Sequence, residues 1–204
     1  PMLTPPPPAA AMAAWAAWQG AARVRVWDSR ESAPQDAALR RLVPEAERLQ
    51  GELVSAHLDG ATRLLKSPGL APSDARLQPL LAQARAQGVP VQGELDLFAE
   101  GLAALKAQWR YAPAVLAISG TNGKTTTVQM LTSILRAAGL RACSAGNVGT
   151  PILEAVVHPD PFDVIAVELS SFQLHWSHSL APQASVCLNV APDHVDWHGS
   201  LEEY

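Results

Sequence analysis

The chain has 204 residues, with 15 Lys plus Arg against 19 Asp plus Glu, a net charge of -4, 48% hydrophobic residues and 17% charged ones. That length suits one large domain or two modest ones. The apolar content excludes a wholly disordered chain, and the mild acidity supplies no basic face for a general nucleic-acid binder. No apolar run reaches the ~20 residues of a membrane helix, and Pro1–Pro8 has neither the basic nor the apolar region of a secretory signal. Cys143 and Cys187 stand far apart in no CxxC pattern and read as two buried, reduced thiols of a cytoplasmic protein.

In chain order, Pro5–Pro8 excludes helix or central strand. Ala9–Gln19 reads as an alanine-rich helix closed by Gly20, with Trp15 and Trp18 on one packing face. Val24–Trp27 is a short strand running into Asp28-Ser29-Arg30. Asp36–Gln50 is helical in composition, with Pro44 interrupting it. Arg63–Lys66 is a strand ending at Ser67-Pro68-Gly69, Ser73–Gln87 a helix stopped by Gly88, and Val89-Pro90-Val91 the start of another strand. Gly93–Gln108 is a connecting helix ended by Pro113, and the domain boundary falls within Gly93–Pro113. A second α/β unit follows: strand Ala114–Ser119, loop Gly120–Gly123, helix Lys124–Ala138, strand Leu140–Ser144, the turn Gly146-Asn147-Val148-Gly149, helix Pro151–Val157, and strands Val164–Glu168 and Ser185–Leu188. Leu201–Tyr204 reads as the start of a helix. Strands alternating with helices predict parallel α/β sheets.

The main chemical signal is Gly120-Thr121-Asn122-Gly123-Lys124-Thr125-Thr126, between a strand and a helix. Glycines let backbone N–H groups turn toward phosphate oxygens, and the helix N-terminus adds positive potential. Lys124 can reach the β- and γ-phosphates, and the Thr125 hydroxyl can ligate Mg2+. The usual longer spacing would need glycine where Ile118 stands, so this is a shortened phosphate loop. Glu168, ending an apolar strand, is the candidate acid for the metal, at the carboxyl edge of the sheet where ligands bind. Asp193, His194, Asp196 and His198 lie close in sequence, but by spacing alone read as a solvated loop. Asn147, flanked by glycines, could simply occupy a left-handed turn position. Trp176, His175 and His178 read as surface or edge packing.

Four runs in this order, Gly120–Thr126, Gly146–Gly149, Glu168-Leu169-Ser170-Ser171-Phe172-Gln173-Leu174 and Asn189-x-x-x-Asp193-His194-x-Asp196, resemble the Mur ligases of peptidoglycan synthesis. Weaker likeness to the family's N-terminal UDP-binding domain extends through Asp28-Ser29-Arg30, Ser67-Pro68-Gly69 and Gly93–Phe98. The resemblance implies an α/β fold, with a Rossmann-like parallel-sheet domain over 1–92, a connecting segment over 93–113 and part of a P-loop ATPase-like central domain over 114–204. It implies a cytoplasmic, monomeric, ATP- and Mg2+-dependent amide ligase. The Glu168–Gln173 run is most like the branch joining D-glutamate to UDP-N-acetylmuramoyl-L-alanine through an acyl phosphate. By the same resemblance, Lys124 and His194 are catalytic, and Gly120, Thr121, Asn122, Gly123, Lys124, Thr125 and Thr126 bind ATP. Thr125, Glu168 and His194 hold metal, and Ser29, Arg30, Ser67, Asn147 and Ser170 meet the UDP-linked substrate.

Two departures from that pattern stand out. Where the family's first strand and glycine-rich turn belong, Leu3–Pro8 is proline-rich and lacks N–H donors, so an altered or missing UDP loop is expected. The family's third domain and its carbamylated lysine would lie beyond Tyr204, so the chain is expected to be a fragment inactive alone. Two other readings fit the same residues: another ligase of the Mur and folylpolyglutamate superfamily, and a nucleotide-binding module without turnover. A dinucleotide-binding dehydrogenase is set aside, since no G-x-G-x-x-G precedes Asp28.

Overall fold

A computed structural model describes residues 8–30 and 36–204. Pro1–Pro7, and with them the expected alteration of the first strand and loop, lie outside the described residues. The chain divides into two compact units, residues up to Gln92 and Gly93–Tyr204. Both are mixed α/β with parallel sheets.

In the first unit α1 (Pro8–Trp18) opens on a proline. Pro8 is therefore helical, contrary to the expectation for the tract, because the first helical position needs no N–H donor. Trp15 is buried, and Trp18 packs its ring 5.2 Å from that of Trp15 while remaining largely exposed. β1 (Arg25–Trp27) pairs in parallel with β2 (Glu47–Leu49) through α2 (Asp36–Leu42). The expected helix to Gln50 thus stops before Pro44, and its last residues become a strand. Leu39, Val43 and Ala13 pack with Val24 and Val26 to form the core here. A 3-10 turn at Ser55–Leu58 escaped the sequence reading. It packs with α3 (Gln78–Ala86) against β3 (Leu64–Leu65) and β4 (Val91–Gln92), through Leu58, Leu80, Ala84, Leu64 and Val91. β3 and β4 are parallel and in register at Leu64 opposite Val91.

The second unit begins with α4 (Glu94–Trp109). Gly93–Phe98, grouped by resemblance with the UDP-binding domain, forms the N-cap and opening residues of that helix. Its Asp96 carboxylate accepts from the backbone N–H groups of His178 and Ser179 and from the Ser179 hydroxyl. Burial works against this charge, but those donors outweigh it and hold the carboxyl below its ordinary range.

The central sheet follows: β5 (Ala114–Ser119), β6 (Ala142–Gly146), β7 (Val164–Glu168) and β8 (Ala184–Cys187), all parallel, in the spatial order β6-β7-β5-β8. β7 is buried along its whole length, as an interior strand of apolar residues requires. α5 (Lys124–Ala137) crosses from β5 to β6, and Val128 packs on Ile118 and Ala166. α6 (Ile152–Val156) lies between β6 and β7 in sequence, with Pro151 just before its first turn. Two short helices were not anticipated, α7 (Ser171–His175) and α8 (Val195–His198). Leu201–Glu203 forms a turn rather than helix. Cys143 is buried, which pushes its thiol up to about 11. Cys187 is exposed, as are all the residues of β8 at the edge of the described sheet, so one of the two cysteines expected to be buried is not. Among the described residues no helix is long and apolar enough to cross a membrane.

Candidate functional site

β5, β7 and β6 end together, and register places Ile118 opposite Glu168 and Glu168 opposite Gly146. Three sequence-distant segments therefore meet at one carboxyl edge: the glycine loop after β5, Glu168 and the Gly146–Gly149 turn. Gly120 has φ +134° and Gly123 φ +85°, conformations that a side chain would strain. A Cβ on Gly120 would also stand 3.1 Å from the Asn189 and Leu188 backbones. The loop is fastened to that neighbouring segment. Asn122 N–H donates to Asn189 Oδ1 at 2.9 Å, Asn189 Nδ2 donates to the Asn122 carbonyl at 3.0 Å, and the Ala191 N–H donates to Thr121 Oγ1 at 2.9 Å.

Lys124 opens α5, and its ammonium is folded over the loop. It donates to the carbonyls of Gly120 at 2.6 Å and Thr121 at 3.0 Å. The Thr125 hydroxyl donates to Glu168 Oε2 at 2.8 Å, and Asn147 Nδ2 donates to Glu168 Oε1 at 2.9 Å. The Asn147 N–H also reaches the Glu168 carbonyl at 3.0 Å. Asn147 is thus engaged by Glu168 and does not adopt a left-handed turn; Gly146 and Gly149 carry the positive φ values beside it. Thr126 is exposed on the first turn of α5.

Glu168 is 1% exposed, and among the described residues the hydrogen-bond partners of its carboxylate are a hydroxyl and an amide rather than a cation. A buried carboxylate without a positive partner is costly. Together with the Thr125 hydroxyl it offers hard oxygen donors of the kind Mg2+ takes, so these residues fit that ion. Ser170 caps α7, as the Ser-x-x-Gln spacing to Gln173 allowed.

His194 lies on another segment. It has φ +50°, its ring centroid is 4.6 Å from that of Phe172, and its Nε2 is 3.6 Å from Asp193 Oδ2. Among the described residues no three His, Cys, Asp or Glu side chains gather as a metal cluster. The aromatic packing around His194 was not anticipated: Trp197 stacks on Phe172 at 4.5 Å, and His198 Nε2 lies 2.9 Å from the Ser171 hydroxyl. Burial and the neighbouring His175 and His194 push the His198 imidazole down from its usual value.

In the first unit, Ser29 and Arg30 follow β1. The Arg30 guanidinium forms two bonds to the Asp28 carboxylate, at 2.9 and 2.8 Å, and holds that carboxyl below its ordinary value. Ser67 is half-buried after β3, and its carbonyl accepts from Lys66 Nζ at 2.6 Å, as does the Leu70 carbonyl. Sequence reasoning passed over Lys66, which is 5% exposed. Burial pulls its ammonium down to about 8 from 10.5. Below pH 8 that ammonium is charged in both folded and unfolded chains. Between about 8 and the ordinary lysine value the folded chain binds less proton, so stability rises with pH through that window. The melting temperature of the wild type relative to Lys66→Met is therefore expected to climb from pH 8 to pH 10, and a flat difference would contradict the burial of this charge.

The Mur ligase MurD-like N-terminal domain matches residues 10–93 and the Mur ligase middle domain residues 118–204. The chain is 45% identical over 198 residues to a UDP-N-acetylmuramoylalanine–D-glutamate ligase of Cupriavidus pinatubonensis, covering 95% of the chain and 39% of that protein. It is 46% identical to the protein of that name from Ralstonia nicotianae, covering 95% and 40% respectively. The chain thus spans about two fifths of the length of these relatives. Among solved structures, UDP-N-acetylmuramate:L-alanyl-gamma-D-glutamyl-meso-diaminopimelate ligase from Neisseria meningitides shares the fold, with a TM-score of 0.51 and 21% identity over 95% of this chain and 60% of that one. With an N-terminal and a middle domain of the same kind following one another along most of its length, the chain belongs to the Mur ligase family.

Proposed function

We propose that the Gly120–Thr125 loop binds the phosphates of ATP with Mg2+, and that a protein of the relatives' full length uses this ATP to join D-glutamate to UDP-N-acetylmuramoyl-L-alanine. The observation that carries the reading is the convergence of Thr125 and Asn147 on the buried Glu168 carboxylate beside the glycine loop. The relatives' names supply the substrates.

In this reading the backbone N–H groups of the loop cradle the phosphate chain. Lys124 leaves the Gly120 and Thr121 carbonyls and swings its ammonium to the transferring phosphoryl group. Thr125 and Glu168 hold Mg2+, which when bound neutralises charge on the phosphates. Asn147 keeps the Glu168 carboxylate oriented and borders the muramoyl substrate. His194 holds a second metal ion near the substrate carboxylate, and Ser170 borders the UDP-linked substrate. Ser29, Arg30 and Ser67 contact UDP, and Arg30 must release Asp28 to do so. The protein acts as a monomer in the cytoplasm.

Calorimetric titration with Mg·ATP tests the nucleotide site. Lys124→Ala is expected to weaken binding at least tenfold, about 1.4 kcal/mol; equal affinity in both proteins would sink the reading. The substrate assignment is tested on the full-length protein by ADP release requiring both UDP-N-acetylmuramoyl-L-alanine and D-glutamate. Release with a different amino acid or a folate would assign it to another branch.

A further inference from the structure

Glu94 and Gln173 have no part in the chemistry above, yet they are only 6% and 5% exposed. Gln173 is the third residue of α7, and the two ends of its side chain face opposite demands. Its Oε1 accepts from the Ser170 N–H at 2.9 Å and lies 3.0 Å from the Ser170 hydroxyl. Its Nε2 donates to Glu94 Oε1, at the start of α4. A backbone N–H can only donate and a carboxylate can only accept, so both neighbours enforce the same orientation of the amide. With Oε1 turned to Ser170, the hydroxyl proton is committed to it. The Gln173 N–H, 3.3 Å from Ser170 Oγ, occupies one of the two hydroxyl lone pairs. One lone pair is left over.

Ser170 follows Glu168 by two residues and has extended φ and ψ of -81° and 156°. Residues two apart on extended chain share a face, which puts Ser170 on the side of this segment where Glu168 meets Thr125 and Asn147. We propose that Glu94 and Gln173 are positioning residues that lock the Ser170 hydroxyl as a hydrogen-bond acceptor toward the Glu168 site, where it receives a proton donor, a water bound to the cation. An acceptor suits such a water, which can only donate outward. It does not suit a phosphate or carboxylate oxygen. Burial pushes the Glu94 carboxyl above its usual range against the opposing bond from Gln173, which fits a group held for its contact rather than for its solvation. The inference rests on the Mg·ATP reading above.

The test is the Mg2+ dependence of ATP binding, measured by calorimetry on this chain. Gln173→Met and Ser170→Ala are each expected to raise the Mg2+ concentration for half-maximal binding about tenfold, the scale of lost support around a metal site. The double variant should do no more than either, because one residue acts through the other. Glu94→Gln keeps an acceptor for the Gln173 amide and is expected to bind within about twofold of wild type, whereas Glu94→Leu is not. Additive effects, or an unchanged Mg2+ requirement in either single variant, would overturn the proposal. Amide exchange gives a second readout that needs no nucleotide. Gln173→Met should speed exchange of the Ser170 N–H while that of Ile165 in β7 holds; unchanged exchange at Ser170 also overturns it. If the wild type binds no Mg·ATP, the site reading fails and the acceptor role falls with it, while exchange still decides whether Gln173 holds Ser170.

Discussion

Gly146→Ala is expected to cost about 3–5 kcal/mol, a large part of the stability of a domain this size. Two separate penalties meet at this residue. Its φ is +103°, which a side chain rarely adopts. An added Cβ would stand 2.3 Å from the Glu168 carbonyl oxygen and 3.1 Å from Val167 Cγ1. Neither neighbour can retreat easily, because β7 is an interior strand paired on both sides. The Glu168 carbonyl also receives the Asn147 N–H, so relief of the clash would part β6 from β7 and draw Asn147 off the Glu168 carboxylate. Denaturant unfolding should show a much lower midpoint, and Mg2+-dependent ATP binding should weaken with it. Gly139→Ala separates the two penalties. Its φ is +85°, but nothing lies within 4 Å of an added Cβ, so only strain of about 1–2 kcal/mol should appear. Equal losses at the two positions would show that close approach to β7 is not what Gly146 provides.

Gly146 also marks where the sequence stops being readable. The glycine loop, Lys124 and Thr125 form one local run between a strand and a helix, and local pattern was enough to find them. Glu168 was found the same way, as the acid ending a continuous apolar strand. That Thr125 and Asn147 both reach it depends on β7 inserting between β5 and β6, and strand order across a sheet leaves no local trace. The reciprocal pairing of Asn122 with Asn189 is hidden for the same reason, its partners being 67 residues apart. Local propensity misled at Glu47–Leu49, whose composition is helical. Parallel pairing with β1 makes it a strand, as tertiary contacts override weak preferences. α7 was legible in principle, since Ser170 and Gln173 form a capping-box spacing, but its five residues are too short to show helical periodicity. Exposure was the hardest property to foresee: Cys187 is exposed with all four residues of β8, at the edge of the described sheet, and edge position leaves no local mark in sequence.

Glu168→Gln is expected to separate stability from function. The substitution keeps the shape of the side chain and removes its charge. Both existing contacts can survive it. The Asn147 amide can still donate to the remaining carbonyl oxygen, and the Thr125 hydroxyl can turn to accept from the new amide nitrogen. What disappears is a carboxylate that is 1% exposed and whose side-chain hydrogen-bond partners among the described residues are neutral. Neutralising a buried, unpaired charge commonly stabilises a fold, so the melting temperature without nucleotide should rise, equivalent to about 1 kcal/mol or more. Mg2+ should lose its anionic ligand at the same time, and its enhancement of ATP binding should fall by about two orders of magnitude, or roughly 2.7 kcal/mol. Glu168→Ala would confuse the two effects by stranding the Thr125 and Asn147 donors; the isosteric change does not. A variant more stable than wild type and insensitive to Mg2+ would identify Glu168 as a residue kept for its charge at the expense of the fold. A variant less stable than wild type, with ATP binding still enhanced by Mg2+, would mean that Glu168 serves to tie β7 to β5 and β6, and that the cation is held elsewhere.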